Sequence, residues 1–226
     1  MTQSDTAVLA ERLSAILPGP VTATASGLSY AGGVVPVINN ILRFRHDSGY
    51  NTTFALQWHR FRTEQLDDVN GSQESMTRFR ETGWSVAELA GKRVLEAGAG
   101  AGRFTRILGS SGAKLYSFDY SAAIDANRQN NAKVGDITFM QADILDMPFV
   151  PGSFDYVFCH GVLQHTPDPK GGFMALARML VPGGRISIDV YRKDGLIRPW
   201  KSKYIWRPIT TRMKPETLLR FLEWFM

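Results

Sequence analysis

Five short apolar runs recur along the second half of the chain, separated by polar segments that have helical spacing. Runs of this length predict buried parallel strands, because helices cover both faces of a parallel sheet. After the first run, Phe104, Ile107 and Leu108 recur at the spacing of one helix face. The alternation predicts an α/β fold with a doubly wound, mostly parallel sheet. The predicted strands begin at Val94, Lys114, Ile137, Phe154 and Ile186.

The first 90 residues predict two segments that precede this core. Residues 1–50 form an N-terminal extension, in which helical spacing up to Pro18-Gly19-Pro20 predicts a short, weakly packed amphipathic helix. Further along the extension, the Asn39-Asn40 turn joins two short apolar segments and predicts a small β-hairpin. Residues 51–90 have helical spacing and many aromatic side chains, so we expect the α/β core to occupy 91–191.

The end of the chain departs from the pattern of the core. Between Arg192 and Lys214, eight Lys and Arg residues and one acid give +7, so the rest of the chain is about −2. Residues 216–226 have the spacing of an amphipathic helix. Residues 192–226 therefore predict a basic aromatic segment and a cap helix, an incomplete or atypical end for such a sheet. The apolar face of that helix predicts that another surface packs against it, either a second copy of the chain or a missing C-terminal part.

A glycine-rich loop follows the first predicted strand, with Gly98, Gly100 and Gly102 at alternate positions. Glycines allow a sharp turn and let a nucleotide-like cofactor approach main-chain N–H groups. Arg103 stands where a dinucleotide-binding loop has its third small residue. The carboxylate of Glu96 would repel a pyrophosphate and attract an ammonium group. The loop therefore favours a cofactor that carries an amino acid.

The second predicted strand ends in Asp119, about 20 residues after the first glycine, where a carboxylate commonly binds a ribose diol. A ribose joined to a cationic amino acid indicates S-adenosylmethionine. A nicotinamide-dependent reductase or epimerase is the alternative enzyme class. Arg103 and Glu96 disfavour it, and no Tyr-x-x-x-Lys pair follows the fourth predicted strand.

Residues 94–191 resemble the class I S-adenosylmethionine-dependent methyltransferases, because several motifs match in the same order. Besides the glycine loop and Asp119, the matching segments are 141–149, 153–158 and 180–185. The resemblance implies the fold of that class, S-adenosylmethionine as cofactor, and in-line methyl transfer to a nucleophilic O, N or C atom.

The resemblance also implies which residues bind the cofactor. Asp119 takes the ribose by its position in the motif, and Asp143 takes the exocyclic amine of adenine. The cofactor-binding residues implied in the core are Glu96, Ala97, Gly98, Ala99, Gly100, Gly102, Asp119, Tyr120, Ala142, Asp143, Ile144, Cys159 and His160.

In this class a segment before the first strand commonly folds over the cofactor as a lid, and 51–90 has that position. As a lid, the segment would place Trp58 against the cofactor and Gln57 and Arg62 against the substrate. The alternative is that its aromatic side chains pack a helix against the sheet.

Two histidines, His160 and His165, follow the fourth predicted strand at the sheet edge where open α/β folds hold their chemistry. They are the groups of this loop that titrate near pH 7, so each is a candidate catalytic base. The alternatives are that His165 bonds the backbone and that His160 only lines the cofactor pocket. Gln164 and Tyr191 are further candidate substrate contacts, and no motif predicts a metal site.

Composition restricts the partners of the chain. One cysteine, Cys159, excludes an internal disulfide, and we expect a cytoplasmic protein without leader or membrane span. Because the positive charge is concentrated in 192–214, that segment is a candidate contact for an anionic membrane surface, which implies a peripheral location. Nucleic acid is less favoured, since the core offers no second basic patch. The alternative is that 192–214 is a solvated linker without a partner.

We therefore expect an S-adenosylmethionine-dependent methyltransferase that acts on a small-molecule or lipid-linked acceptor. An RNA methyltransferase and a non-catalytic scaffold that binds the cofactor are the alternatives. The second is disfavoured because the predicted cofactor residues are intact.

Overall fold

The strands of the described residues form one mixed sheet of nine strands. The computed structural model describes residues 3–45 and 60–191, and short stretches between 206 and 221. In chain order the strands are β1 (Thr22–Ala23), β2 (Gly27–Tyr30), β3 (Gly33–Ile38), β4 (Ile41–Arg43), β5 (Arg93–Ala97), β6 (Lys114–Asp119), β7 (Ile137–Gln141), β8 (Phe154–Cys159) and β9 (Leu180–Ile188). Across the sheet they lie in the order β1-β2-β3-β4-β7-β6-β5-β8-β9.

Helices connect the parallel strands. They are α1 (Gln3–Leu13), α2 (Asp67–Asn70), α3 (Glu74–Arg80), α4 (Arg103–Ser110), α5 (Ala123–Asn131) and α6 (Pro169–Arg178), with 3₁₀ turns at Ala87–Leu89 and Leu163–His165. The start of α6 follows the sequence signal, since Asp168 caps it by accepting a hydrogen bond from the Gly171 N–H at 2.9 Å.

The central strands β7-β6-β5-β8-β9 are all parallel, which confirms the predicted doubly wound α/β fold. In the sheet, β6 and β7 lie on one side of β5, and β8 and β9, which follow later in the chain, lie on its other side. The order therefore reverses between β5 and β8. In open α/β sheets, the crevice at the carboxyl ends of such strands holds the ligand.

Alternate residues of the central strands face two separate hydrophobic layers. Val94 and Phe158 pack with Phe104 of α4 on one face. On the opposite face Leu95 packs in a layer with Leu176 of α6. Successive strand residues point to opposite faces, so residues two positions apart share a face. A polar residue two positions along its strand from Val94 or Phe158 therefore also faces α4.

The N-terminal extension is part of this sheet. The Asn39-Asn40 turn joins the antiparallel β3 and β4, as the predicted hairpin requires. β2 pairs antiparallel with β3, and β4 pairs in parallel with β7, with Arg43 opposite Gln141. The expectation that α1 packs weakly is wrong, because Ala10 and Leu13 of the helix are buried in the layer that contains Leu95. Since β4 is parallel to β7, it ends at the same edge as the other carboxyl ends.

The last strand differs from the prediction in its bounds. β9 begins at Leu180 and ends at Ile188, so Tyr191 lies beyond it. An irregularity separates the pair Phe154–Leu180 from the pair Tyr156–Arg185, and it accommodates the Gly183 turn within the strand.

The segment predicted as a lid is described from residue 60 onwards, so Gln57 and Trp58 lie outside the described residues. Phe79 and Trp84 are buried in the α4 layer, which favours the packing alternative for these two side chains. No helix in the part of the chain that the structure describes is both long and apolar enough to cross a bilayer.

Met1–Val190 form one compact unit and Tyr191–Met226 a second. In the second unit, 208–210, 217–218 and 220–221 are helical. Most of the predicted basic segment 192–214 and cap helix 216–226 lies outside the described residues.

Candidate functional site

The glycine loop between β5 and α4 is held from two sides. Gly98 has a φ of +74°, and a Cβ at this position would lie 2.3 Å from Cγ2 of Val162 in the loop after β8. Gly102 has a φ of +92°, and its Cβ would lie 2.1 Å from Oδ1 of Asn127 in α5. A positive φ and this close packing both require glycine. The glycine loop is therefore clamped between the loop after β8 and α5.

Asp119 holds the loop at the carboxyl edge of the sheet. Its Oδ2 accepts a hydrogen bond from the Gly100 N–H at 2.9 Å. Its Oδ1 accepts from the N–H and the hydroxyl of Ser121 at 2.8 and 2.7 Å. Burial raises the pKa of Asp119, and these hydrogen bonds oppose that shift. Because Asp119 is half-buried and Oδ2 accepts one bond, that oxygen retains capacity for another donor.

Glu96 lies beneath the loop and faces α4. Its Oε2 accepts hydrogen bonds from the hydroxyls of Thr105 at 2.6 Å and Ser117 at 2.7 Å. Burial raises the pKa of Glu96 to about 7, so near neutral pH the carboxyl group is only partly ionised. The side chain is buried, and its predicted attraction for an ammonium group stays a prediction.

A buried polar network extends from Glu96 to the glycine loop. The amide of Asn127 donates to Thr105 Oγ1 at 2.8 Å and to Ser117 Oγ at 3.1 Å. Asn131 donates to Asn127 Oδ1 and to the carbonyl of Gly102, each at 2.9 Å. The sequence analysis missed this network. Its signal is the set of polar residues, Ser117 above all, at strand and helix positions that face a hydrophobic layer.

Asp143 and Tyr120 lie together at the same edge, in contact with a residue of the extension. Asp143 Oδ1 accepts from the Leu145 N–H at 2.9 Å, and its Oδ2 lies 3.3 Å from Nη1 of Arg45. The guanidinium carbon of Arg45 lies 3.6 Å from the centroid of the Tyr120 ring. The sequence analysis missed Arg45, because no local spacing relates it to residues 75 or more positions away.

The predicted cofactor residues form two groups, one accessible to solvent and one buried. Those of the described residues that keep accessible surface are Gly98, Gly100, Asp119, Tyr120, Asp143 and His160. The buried ones are Glu96, Ala97, Ala99, Gly102, Ala142, Ile144 and Cys159. Glu96, Ala97, Ala142 and Cys159 are at most 2% exposed, and their contact with the cofactor stays a prediction. Burial raises the pKa of the Cys159 thiol, which packs in the layer that contains Leu95.

His160 lies between two polar residues at the end of β9. Its Nε2 is 2.8 Å from the Ser187 hydroxyl, and its Nδ1 is 4.0 Å from Oδ2 of Asp189. The imidazole stacks on Phe158 with ring centroids 4.1 Å apart. Burial lowers the pKa of His160, and the charge of Asp189 opposes that shift, so the ring is neutral at pH 7. The sequence analysis missed Ser187 and Asp189, which only the pairing of β8 with β9 brings here.

The other residues of the loop after β8 are placed differently. His165 lies exposed at the end of the 3₁₀ turn, and its N–H donates to the Val162 carbonyl at 2.8 Å. The side-chain amide atoms of Gln164 are buried without a hydrogen-bond partner among the described residues. An unpaired buried amide is costly, so Gln164 is a candidate for contact with a ligand.

Two predicted substrate contacts lie outside this loop. Arg62 donates to Oε1 of Gln129 in α5, and its carbonyl accepts from Asn130, which also donates to the carbonyl of Ala101. Arg62 is thereby tied to the glycine loop through α5. Tyr191 is 72% exposed in the second unit, and its substrate role stays a prediction.

Comparisons with known proteins agree with this geometry. Residues 95–188 match the family model described as a methyltransferase domain. A demethylmenaquinone methyltransferase of Clavibacter sepedonicus is 37% identical over 46% of this chain and 43% of its own. A ubiquinone biosynthesis O-methyltransferase of Ralstonia nicotianae is 32% identical over 49% of this chain and 48% of its own.

The chain thus spans about half the length of these curated relatives. Among solved structures, phosphoethanolamine N-methyltransferase 1 of Haemonchus contortus, in complex with phosphoethanolamine and S-adenosylhomocysteine, is similar with a TM-score of 0.48. It is 22% identical and covers 60% of this chain and 31% of that chain. Residues 95–188 are a class I S-adenosylmethionine-dependent methyltransferase domain.

Proposed function

From this class I methyltransferase domain over 95–188, we propose that the chain transfers methyl groups to a small-molecule or lipid-linked acceptor. The observation that carries the proposal is the hydrogen bond between the Asp119 carboxylate and the Gly100 N–H. It fixes a carboxylate beside the glycine loop, at the edge where the strand order reverses.

The side chains at this edge fit S-adenosylmethionine. Asp119 Oδ2 has capacity to accept a bond from a ribose hydroxyl, and Asp143 offers a carboxylate for the adenine amine. When bound, the cofactor supplies an electrophilic methyl group on its sulfonium. The protein then contributes proximity and alignment, which are worth several kcal/mol or more.

We further propose that His160 receives the proton of the acceptor. The Asp189 carboxylate near Nδ1 favours a proton on that nitrogen, so Nε2 accepts from the Ser187 hydroxyl. In this arrangement the Ser187 hydroxyl passes its proton to Nε2 of the neutral His160 and takes the proton of the acceptor in its place. His165 remains the second candidate base of this loop.

The acceptor class is supported by two features. The relatives are named for demethylmenaquinone and for ubiquinone biosynthesis, and the second is an O-methyltransferase, whose acceptor atom is an oxygen. Gln164 offers a buried amide donor and acceptor, unpaired among the described residues, that a polar ring substituent would satisfy. We therefore propose a hydroxylated ring as the first acceptor to test, bound with Gln164 as a contact.

The test is methyl transfer from S-adenosylmethionine that carries a labelled methyl group. The purified protein is incubated separately with a bacterial lipid extract, with soluble catechols and with total RNA. We expect label in the lipid or catechol fraction. Label confined to RNA would favour the RNA methyltransferase alternative, and cofactor binding without transfer to any fraction would favour the scaffold.

A further inference from the structure

Arg45 reaches the predicted adenine end of the cofactor site from outside residues 95–188. It follows β4, the strand by which the extension joins the sheet. Its guanidinium contacts Asp143, which the resemblance assigns to that end, and Tyr120, the predicted cofactor residue that directly follows Asp119. The side chain of Arg45 is 20% exposed and that of Asp143 is 29% exposed.

The register of the sheet sets this position. Arg43 lies opposite Gln141 in the β4–β7 pair and donates to its Oε1 at 2.9 Å. The next residue, Phe44, donates its N–H to the Gln141 carbonyl at 3.0 Å. Arg45 and Asp143 lie two positions beyond that pair, and their side chains meet as those of Arg43 and Gln141 do. Because β4 and β7 end at Arg43 and Gln141, the Phe44 N–H bond is the main-chain contact that holds Arg45 beside the site.

Adenine and the guanidinium need the same two partners. Asp143 Oδ1 accepts from the Leu145 N–H and Oδ2 lies 3.3 Å from Nη1 of Arg45, so an amine that approaches Oδ2 shares it with the guanidinium charge. One face of Tyr120 is at van der Waals distance from the guanidinium, which leaves no space for a purine between them. A ligand that stacks on that face and bonds Asp143 has to move Arg45.

We propose that Arg45 competes with the adenine of the cofactor for Asp143 and Tyr120, so that the cofactor binds by displacing the guanidinium. This inference rests on the proposed function of the domain. In consequence, the N-terminal extension sets the cofactor affinity of the methyltransferase domain. The competition is electrostatic in part, so it weakens as salt screens this partly exposed ion pair.

The test is a calorimetric titration of the full chain and of Arg45→Gln with S-adenosylhomocysteine, which needs no acceptor. We expect Arg45→Gln to bind about threefold to tenfold more tightly, as the loss of one ion pair and one cation–π contact predicts. The gain should shrink when Asp143→Asn is added to both proteins, because only the contact with Tyr120 then separates them. Raising the salt concentration should improve binding by the parent relative to Arg45→Gln.

The matched control is Arg185→Gln. Arg185 likewise pairs with a carboxylate, Glu88, and lies over the rings of Trp84 and Tyr156, but it belongs to β9 and not to the site. Its substitution should leave the affinity unchanged. If the parent binds and Arg45→Gln binds equally or more weakly, the inference is overturned while the proposed function stands. If neither protein binds, the proposed function itself fails.

Discussion

The Asp119 carboxylate accepts a hydrogen bond from the Gly100 N–H at 2.9 Å, which ties the end of β6 to a loop 19 residues earlier. The same carboxylate accepts two bonds from Ser121, so three donors hold it in one orientation. A ribose-binding group of fixed orientation loses little conformational entropy when the ligand arrives. Asp119 thus positions the glycine loop, and under the proposed function the same carboxylate also binds the diol.

Asp119→Ala should therefore weaken cofactor binding by about 1 to 3 kcal/mol, because a hydroxyl pair and the Gly100 N–H lose their acceptor. Isothermal titration with S-adenosylhomocysteine measures the change. Asp136→Ala is the control, since this exposed aspartate precedes β7 at the opposite edge and pairs with Arg12. An unchanged affinity in Asp119→Ala would remove Asp119 from the binding site.

Gly98→Ala should destabilise the fold. The substitution adds a methyl group 2.3 Å from Val162 at a φ of +74°. The backbone strain is worth about 1 to 2 kcal/mol and the overpacking about 1 to 3 kcal/mol. Urea unfolding measures the loss. Gly91→Ala is the matched control, because Gly91 has a φ of +72° and no atom within 4 Å of the added methyl group.

Adding Val162→Ala to Gly98→Ala should restore part of the lost stability, because it clears the space that the new methyl group enters. If Gly98→Ala loses no more stability than Gly91→Ala, the contact between the two loops is not as tight as the geometry indicates.

Glu96 should make stability depend on pH. The folded state raises its pKa from 4.5 to about 7, so its contribution is fully present below pH 4.5 and is lost as the pH rises through 7. The loss amounts to roughly 3 kcal/mol, and Glu96→Gln should abolish it. Urea unfolding at pH 5 and pH 8 measures the difference between the two proteins.

Glu11→Gln serves as the control for this prediction, because Glu11 is an exposed carboxylate and its removal should leave the pH dependence of the parent. The same pH dependence in Glu96→Gln and the parent would mean that Glu96 is ionised in the folded protein throughout this range.

Several elements follow from local sequence alone. β6 and β8 have the bounds expected from their apolar runs, and α6 begins at the Asp168 cap, because these signals lie within a few residues. The place of Asp119 at the end of β6 is predicted in the same way. In each case the residues that determine the structure are neighbours along the chain.

Other contacts depend on which strands pair. Arg45 and Asp143 are 98 residues apart, and only the parallel pairing of β4 with β7 brings them together. Ser187 reaches His160 because β9 lies beside β8. Glu96 is two residues after Val94 and therefore points to the same face. Whether that face is buried can be told only when the layer that covers it is known. Such contacts are set by tertiary structure, which local patterns do not encode.

The loop after β8 allows a test of proton transfer. Asp189→Asn should shift the pH profile of methyl transfer to lower pH, because the Asp189 charge raises the pKa of His160 while burial lowers it. Ser187→Ala should lower the rate by about 10- to 100-fold with little change in cofactor affinity, the lower part of what a general base supplies. The exposed Ser110→Ala is a control. If both variants have the rates of the parent across pH 5 to 9, the contacts of His160 with Ser187 and Asp189 are structural and take no part in proton transfer.

The basic segment 192–214 should bind anionic membranes, if its eight cations and its aromatic residues serve a lipid-linked acceptor. Replacing Lys201, Lys203 and Arg207 with Gln removes three of these charges and should weaken binding to phosphatidylglycerol vesicles in a salt-dependent way. Vesicle sedimentation at low and at physiological salt measures the effect, with neutral phosphatidylcholine vesicles as the lipid control.

The matched protein control removes three exposed lysines from the core, Lys114, Lys133 and Lys170, and lowers the net charge by the same amount. If net charge alone drives the association, the two triple variants should lose binding equally, because a general field does not depend on position. If the segment forms the contact, the core variant should bind like the parent. Equal binding by the segment variant and the parent, or tight salt-sensitive binding of the parent to RNA alone, would contradict the membrane interpretation.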